Sequence, residues 1–97
     1  MLTHVVLMKF GDPADAAKAG ELLEGLVGTV EGIASMTLGL DVVHSEVSYD
    51  LCMITTHDHP DDLRSYQNHP AHLEVAGWLR PRLAGRVSVD FETTGAE

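Results

Sequence analysis

Two predicted strands in this chain are apolar on both faces, and this feature constrains the fold most strongly. Successive side chains of a strand point to opposite faces. The faces of the first strand, Thr3–Phe10, carry His4, Val6, Met8 and Phe10 on one side and Val5 and Leu7 on the other. The faces of another strand, Tyr49–Thr56, carry Leu51 and Met53 on one side and Cys52 and Ile54 on the other. A sheet built on these strands needs an apolar layer against each face.

The rest of the chain supplies two helical regions and two further strands. The predicted order is strand Thr3–Phe10, helix Ala14–Val30, strand Ile33–Val43, strand Tyr49–Thr56, helices Asp61–Gln67 and Pro70–Leu79, and strand Arg86–Thr93. Asp12 and Pro13 are the expected N-cap and first residue of the first helix. Gly39 predicts a bulge or a close backbone approach within the second strand. Pro70 predicts a break between the last two helices, near Asn68 and His69.

This order predicts an α+β domain over residues 1–97 with the ferredoxin-like βαββαβ plan and a four-stranded antiparallel sheet. Right-handed crossovers place both helical regions on one face of that sheet. The other face remains open, and at 97 residues the chain has no further element to cover it. A short chain also buries a smaller share of its surface than a long one. We therefore predict a homodimer formed through the sheet face.

Charge and cysteine content exclude several classes of partner. With 6 basic and 15 acidic side chains, the formal charge of −9 repels nucleic acid and anionic membranes. Cys52 is the single cysteine, so no intrachain disulfide forms, and a cytoplasmic location is expected. Gly20, Gly25 and Gly28 fall within a predicted helix rather than in a phosphate-binding loop, so no nucleotide cofactor is predicted.

The densest chemical signal is the segment from Tyr66 to His72, YQNHPAH. On an ideal helix His72 shares a face with Ala76 and Leu79, so its ring is expected to face inward or to lie at the rim of a pocket. An inward imidazole can act as a base near neutral pH. Tyr66 is expected to lie at a cavity wall and to donate a hydrogen bond to an enolate oxygen. The purely structural alternative is that His69 caps a helix, His72 binds a neighbouring carbonyl and Tyr66 packs.

Two other readings of the polar residues stay open. The chain has six histidines, and His57 with His59, or His69 with His72, are pairs that a metal ion can use. No third ligand follows from spacing, and no metal is predicted. A group of arginines, Arg80, Arg82 and Arg86, follows the last helix, where positive charge complements the helix dipole; binding of an anionic ligand is the weaker alternative.

Several landmarks occur in order along nearly the whole chain. They are the opening H-x-x-x-x-K-F (His4, Lys9, Phe10), the turn Glu31-Gly32-Ile33, Gly39, Tyr66, His69-Pro70, His72 and the closing Val89-Asp90. In these landmarks the chain resembles the stress-responsive dimeric α/β-barrel (Dabb) family. The resemblance implies a ferredoxin-like protomer that dimerises through its sheet into an α/β barrel. A plant branch of this family includes a polyketide cyclase in which a Tyr and a His carry the chemistry.

By this resemblance, Tyr66 and His72 match the catalytic pair and His4 matches a cavity histidine of the cyclase. We therefore predict catalysis by His72 and Tyr66, and ligand binding by His4 and His69, on a small flat oxygenated molecule without a cofactor. Two alternatives are a non-catalytic stress or assembly protein, and an enzyme like the cofactor-independent monooxygenases that share this fold.

Overall fold

Four strands form one antiparallel sheet in the order β2-β3-β1-β4. The computed structural model describes residues 1–93, so residues 94–97 of the predicted domain lie outside the described residues. The elements are β1 Leu2–Phe10, α1 Asp15–Glu24, β2 Ser35–Leu40, β3 Leu51–His57, α2 Pro60–Asn68, α3 Pro70–Leu79, a 3-10 turn Arg80–Arg82, and β4 Leu83–Glu92. The predicted ferredoxin-like βαββαβ plan is confirmed, and none of the helices within residues 1–93 is long and apolar enough to cross a membrane.

Strand β1 lies at the centre because its helix-facing residues supply the middle of the core. Val6 pairs with Met53 of β3, and Met8 pairs with Leu51. All four side chains are buried under the helices. The helices contribute apolar residues to the same cluster, among them Leu23 of α1, Leu63 of α2, and Val75 and Leu79 of α3. Removal of this surface from water is the main stabilising contribution to the protomer.

The elements formed by residues 1–93 place no helix on the opposite face of the sheet. Val5 of β1 pairs with Val89 of β4, and Leu7 pairs with Val87, so these four side chains share that face. Val89 is 56% exposed and Leu7 is 37% exposed, although both belong to regular strands. This apolar open face is completed by Cys52, Ile54 and Phe91.

Helix α1 is shorter than predicted. It ends at Glu24 rather than Val30, because Gly25 and Gly28 interrupt the helix and the next residues form turns. Leu26 and Val30 remain buried in these turns, which explains why the apolar periodicity extends beyond the helix. At the other end the N-cap is Ala14; Asp12 instead accepts a hydrogen bond from the Ala14 N–H at 3.0 Å.

Several strand boundaries differ from the predicted ones by about one to three residues. Strand β2 ends at Leu40 rather than Val43, because Asp41 to Asp50 form the connection to β3. No bulge occurs at Gly39, which pairs with Cys52 in an unbroken register. Strand β3 begins two residues later than predicted, at Leu51, and β4 begins three residues earlier, at Leu83.

The break between the last two helices is confirmed. Helix α2 ends at Asn68, His69 is extended with φ −66° and ψ 136°, and α3 begins at Pro70. The proline ring disfavours a helical conformation of the preceding residue, which redirects the chain here. The Nδ1 atom of His69 accepts a hydrogen bond from the Ala71 N–H at 3.0 Å and so caps α3.

Two glycines with positive φ, Gly28 and Gly32, provide a matched test of packing against the first turn of α2. Gly28 has φ +84° with open space where a side chain would lie, whereas a Cβ on Gly32, with φ +92°, would be 3.2 Å from the Asp62 Cβ. We expect Gly28→Ala to lower the free energy of unfolding by about 1 kcal/mol through backbone strain alone. We expect Gly32→Ala to lower it by about 2–3 kcal/mol, since α2 must also move. Urea unfolding at one protein concentration measures both, and equal losses would contradict the contact with Asp62.

Candidate functional site

A cavity of about 290 Å³ lies between the helix-facing side of the sheet and α3. This volume is near the lower end of the range for small-molecule sites, which is roughly 300–1,000 Å³. Its apolar wall consists of Met8, Leu23, Met53, Ala76, Leu79 and Leu83. Its polar wall consists of His4, Gln67, His72, Arg80 and Arg86. An apolar enclosure with a few converging polar groups is typical of a ligand site.

His72 lies in the first turn of α3, and one of its ring nitrogens already has a hydrogen-bond partner. Its Nδ1 is 3.0 Å from the carbonyl oxygen of Gln67, and since a carbonyl only accepts, Nδ1–H is the donor. In the neutral ring Nε2 is therefore the acceptor. Burial lowers the pKa of His72 below its ordinary value of 6.5, although the bond to Gln67 opposes this shift; electrostatic interactions with Arg86, His4 and Arg80 lower the pKa further.

This shift predicts a pH dependence of folding. We expect an NMR titration of the His72 ring to give a pKa below the ordinary value of 6.5. Between the pKa of the folded protein and 6.5, the unfolded chain takes up a proton at His72 that the folded protein does not. The contribution of the neutral ring to the free energy of unfolding is therefore fully present above pH 6.5 and is lost as the pH falls through the pKa of the folded protein. His72→Gln should remove this part of the pH dependence. A titration at or above the ordinary value would contradict the assignment.

Tyr66 is fully buried behind the cavity and is not part of its wall. Its O–H donates to the sulfur of Met53 at 3.7 Å, and Met53 is a wall residue. The phenol ring lies edge-on to His72, with 4.7 Å between centroids, and stacks with His57 at 5.8 Å. Burial raises the pKa of Tyr66 to about 12, against an opposing effect of the Arg86 charge, so the phenol keeps its proton at neutral pH.

His4 lies in the cavity wall and is bonded to a residue that the sequence did not single out as functional. Only 3% of His4 is exposed, and its Nδ1 is hydrogen-bonded to Oδ1 of Asp90. The two residues face each other because the register of β1 and β4 pairs them directly. A carboxylate at Nδ1 fixes the ring orientation and leaves Nε2 as the second polar atom of the ring.

The other predicted histidines lie outside the cavity wall. His69 caps α3 through its ring. His57 is fully buried; its Nδ1–H donates to the Gly32 carbonyl at 2.7 Å, and its Nε2 accepts from the Thr55 hydroxyl at 2.8 Å. Its ring therefore has both nitrogens satisfied within the protein. Among residues 1–93 no group of three His, Cys, Asp or Glu side chains is arranged to hold a metal ion.

From the sequence, Gln67 and Asp90 were not expected to be site residues. The arginines after α3 were expected mainly to complement the helix dipole. Arg82 does serve the helix end: its Nη1 donates to the Trp78 carbonyl at 2.7 Å. Arg80 and Arg86 instead line the cavity. In the sequence, Arg86 belonged to the arginine group for which anion binding was the weaker alternative, and Asp90 was only a landmark of the family resemblance. Neither signal showed that Arg86 borders a cavity or that Asp90 meets His4.

Comparisons with known proteins support the fold and identify the family. A 1.50 Å crystal structure of a dimeric ferredoxin-like protein of unknown function from Thermobifida fusca is 26% identical, with TM-score 0.83, and the match covers 95% of this chain and 90% of that one. An Arabidopsis thaliana protein is 26% identical, with TM-score 0.79 and coverage of 100% and 99%. A hydroxynitrile lyase from Passiflora edulis shares the fold at 14% identity, with TM-score 0.81 and coverage of 99% and 95%.

A comparison with curated proteins gave no match. The family model described as Stress responsive A/B Barrel Domain matches residues 2–93, which is nearly the whole chain. The chain therefore belongs to the stress responsive A/B barrel domain family.

Proposed function

We propose that the cavity binds a small oxygenated molecule and that His72 removes a proton next to a carbonyl group of that ligand. The observation that carries this proposal is the fixed tautomer of His72. The Nδ1–H group of His72 donates to the carbonyl of Gln67, and the ring lies in the cavity wall. The Nε2 atom is therefore the one that can act as a base. The lowered pKa keeps that base unprotonated at neutral pH. In the step, a C–H bond breaks, the proton moves to Nε2, and the electron pair becomes that of an enolate.

Tyr66 is proposed as the donor to the enolate oxygen. Its present partner is the thioether sulfur of Met53, which is a weak acceptor on a flexible side chain. Displacement of that side chain by a ligand would exchange this weak bond for one to an oxygen. His4, oriented by Asp90, is proposed as a ligand-binding residue on the opposite wall. His69 has no part in this proposal, because its ring caps α3.

The test is exchange of the α-protons of a 3-oxo ester in D₂O, followed by NMR. We expect His72→Gln to reduce the catalysed rate about 100-fold or more, as loss of a general base does. Tyr66→Phe should reduce it less while preserving the fold. His44→Gln is the matched control, because His44 is an exposed loop histidine. Exchange that survives His72→Gln would sink the assignment of the base.

We also propose that two protomers pair through the open face of the sheet. The support is the apolar surface of Val5, Leu7, Val87 and Val89, which no element within residues 1–93 covers. The relatives from Thermobifida fusca, Bacteroides fragilis and a Jannaschia species are described as dimeric. A dimer of exceptional thermal stability that binds no small molecule would favour the non-catalytic assembly alternative. Dioxygen consumption with a phenolic compound would favour the monooxygenase alternative.

A further inference from the structure

Two arginines stand at the mouth of the cavity. Arg80 and Arg86 are both exposed and both line it, whereas Met8, Leu23 and Met53 of its floor are buried. The positive groups therefore lie at the solvent end and the apolar surface at the inner end. This arrangement matches a ligand with a charged head and an apolar body.

Neither guanidinium group has a partner among residues 1–93. No side-chain hydrogen bond or ion pair joins Arg80 or Arg86 to any group in that part of the chain. Two other arginines differ: Arg64 donates to Asp61 at 2.7 Å, and Arg82 donates to Trp78 and stacks on its ring at 4.2 Å. At the end of α3 it is Arg82 that donates to a backbone carbonyl, and the side chains of Arg80 and Arg86 make no such bond within residues 1–93. Helix capping therefore does not explain Arg80 and Arg86.

The charge at the mouth is opposite to that of the molecule. The chain has a formal charge of −9, yet the cavity wall that residues 1–93 form contains two arginines, two histidines and no Asp or Glu. The nearby carboxylate of Asp90 is bonded to His4. The charges of Arg80 and Arg86 also lower the pKa of His72, so their field reaches the cavity interior. A wall of this sign attracts an anion from solution.

We infer that the ligand of this cavity is an organic anion whose carboxylate or phosphate binds Arg80 and Arg86 while its apolar body lies on the buried floor. A guanidinium forms charge-assisted hydrogen bonds with both kinds of oxyanion. This inference rests on the proposed function and narrows its ligand class. It also assigns to Arg80 and Arg86 a role in selecting the substrate, separate from the proton transfer at His72.

The test uses three probes with the same aromatic body: 2-naphthoate, 2-naphthyl phosphate and the neutral 2-naphthamide. Each is titrated into the ¹⁵N-labelled protein at low salt, and amide shifts at the cavity give the Kd. We expect at least one anion to bind about tenfold more tightly than the amide, as charge-assisted contacts would produce. The anion that binds more tightly decides between carboxylate and phosphate. Rising KCl should weaken only the anions.

Three variants test which charges matter. Arg80→Gln and Arg86→Gln should each weaken anion binding about five- to tenfold and leave 2-naphthamide unchanged. Arg86→Lys, which keeps the charge, should retain most of the affinity. Arg64→Gln is the control, because it removes the same unit charge from a paired arginine outside the cavity. The amide spectrum of each variant verifies that it is folded. Binding of an anion should also raise the pKa of His72 by offsetting the guanidinium charges.

The outcomes separate this inference from the proposed function. Equal affinities for anions and amide, unchanged by Arg80→Gln and Arg86→Gln, would overturn the inference and leave a cavity that binds neutral molecules. A loss of anion affinity in Arg64→Gln as large as that in Arg86→Gln would also overturn the inference. The affinity would then depend on the net charge of the protein and not on the arginines of the cavity. If none of the three probes shifts cavity amides, the inference is wrong, whereas the proposed function is decided by the exchange of the 3-oxo ester and its loss in His72→Gln.

Discussion

Val89→Glu is expected to convert the proposed dimer to monomers, with an increase in the dissociation constant of at least about 100-fold. Val89 is 56% exposed on the open face; it lies on the edge strand β4 and pairs with Val5 of β1. In a sheet-to-sheet dimer with two-fold symmetry, every substitution occurs twice, so two carboxylates would lose their hydration within one interface. An unpaired charge removed from water costs several kcal/mol. Sedimentation velocity over a range of protein concentrations measures the change.

The neighbouring position on the same strand provides the control. Ser88 pairs with Val6 and points to the helix side of the sheet, and it is exposed. Ser88→Glu therefore adds the same charge to the same strand without entering the open face, and this variant should remain dimeric. A Val89→Glu protein that stays dimeric would show that the copies associate through another surface. A monomeric wild-type protein would remove the basis of the dimer proposal.

The second large effect is expected at Tyr66. Tyr66→Ala should lower the free energy of unfolding by about 3–5 kcal/mol, the usual cost of deleting a fully buried aromatic ring. The ring is packed between His57 and His72, so its loss leaves a void next to two imidazoles. Urea unfolding measures the loss. Protein concentration must be held constant, because association contributes to the apparent stability.

Tyr66→Phe separates the hydroxyl from the ring. The hydroxyl donates only to the Met53 sulfur, so its removal should cost less than about 1 kcal/mol. If the phenol also polarises a ligand oxygen, Tyr66→Phe would lower the exchange rate of the 3-oxo ester while stability stays nearly unchanged. Equal losses of stability in the alanine and phenylalanine variants would contradict the view that ring packing dominates at this position.

Local chain geometry explains which parts of the fold were predictable. The alternation along β1 and β3 identified apolar residues on both faces, because the side-chain period of a strand is fixed by its backbone. Pro70 predicted the break before α3 for a similar reason, since its ring restricts the residue before it. The ends of α1 and β2 were predicted less well. Apolar residues remain buried in turns after Glu24, so periodicity alone does not mark the last helical residue.

The candidate site was predictable only in part. His4 and His72 were selected from the sequence, and both line the cavity. Tyr66 was expected in the wall but lies behind Met53, because a residue that faces the core on a helix can be covered by a long side chain from the sheet. The ring of His69 is used for capping, a role that the sequence also allowed.

The sequence by itself determined the order of the elements, the two apolar faces of the central strands and the break before α3, since each follows from residues close together in the chain. The tertiary structure alone decided that Asp90 meets His4, 86 residues away, and that Arg80 and Arg86 border the same cavity. These placements depend on the register of β4 against β1 and on how α3 packs over the sheet. A shift of one residue in that register would turn Arg86 and Asp90 to the other face. For that reason the charges of the site follow from strand pairing and not from any local motif.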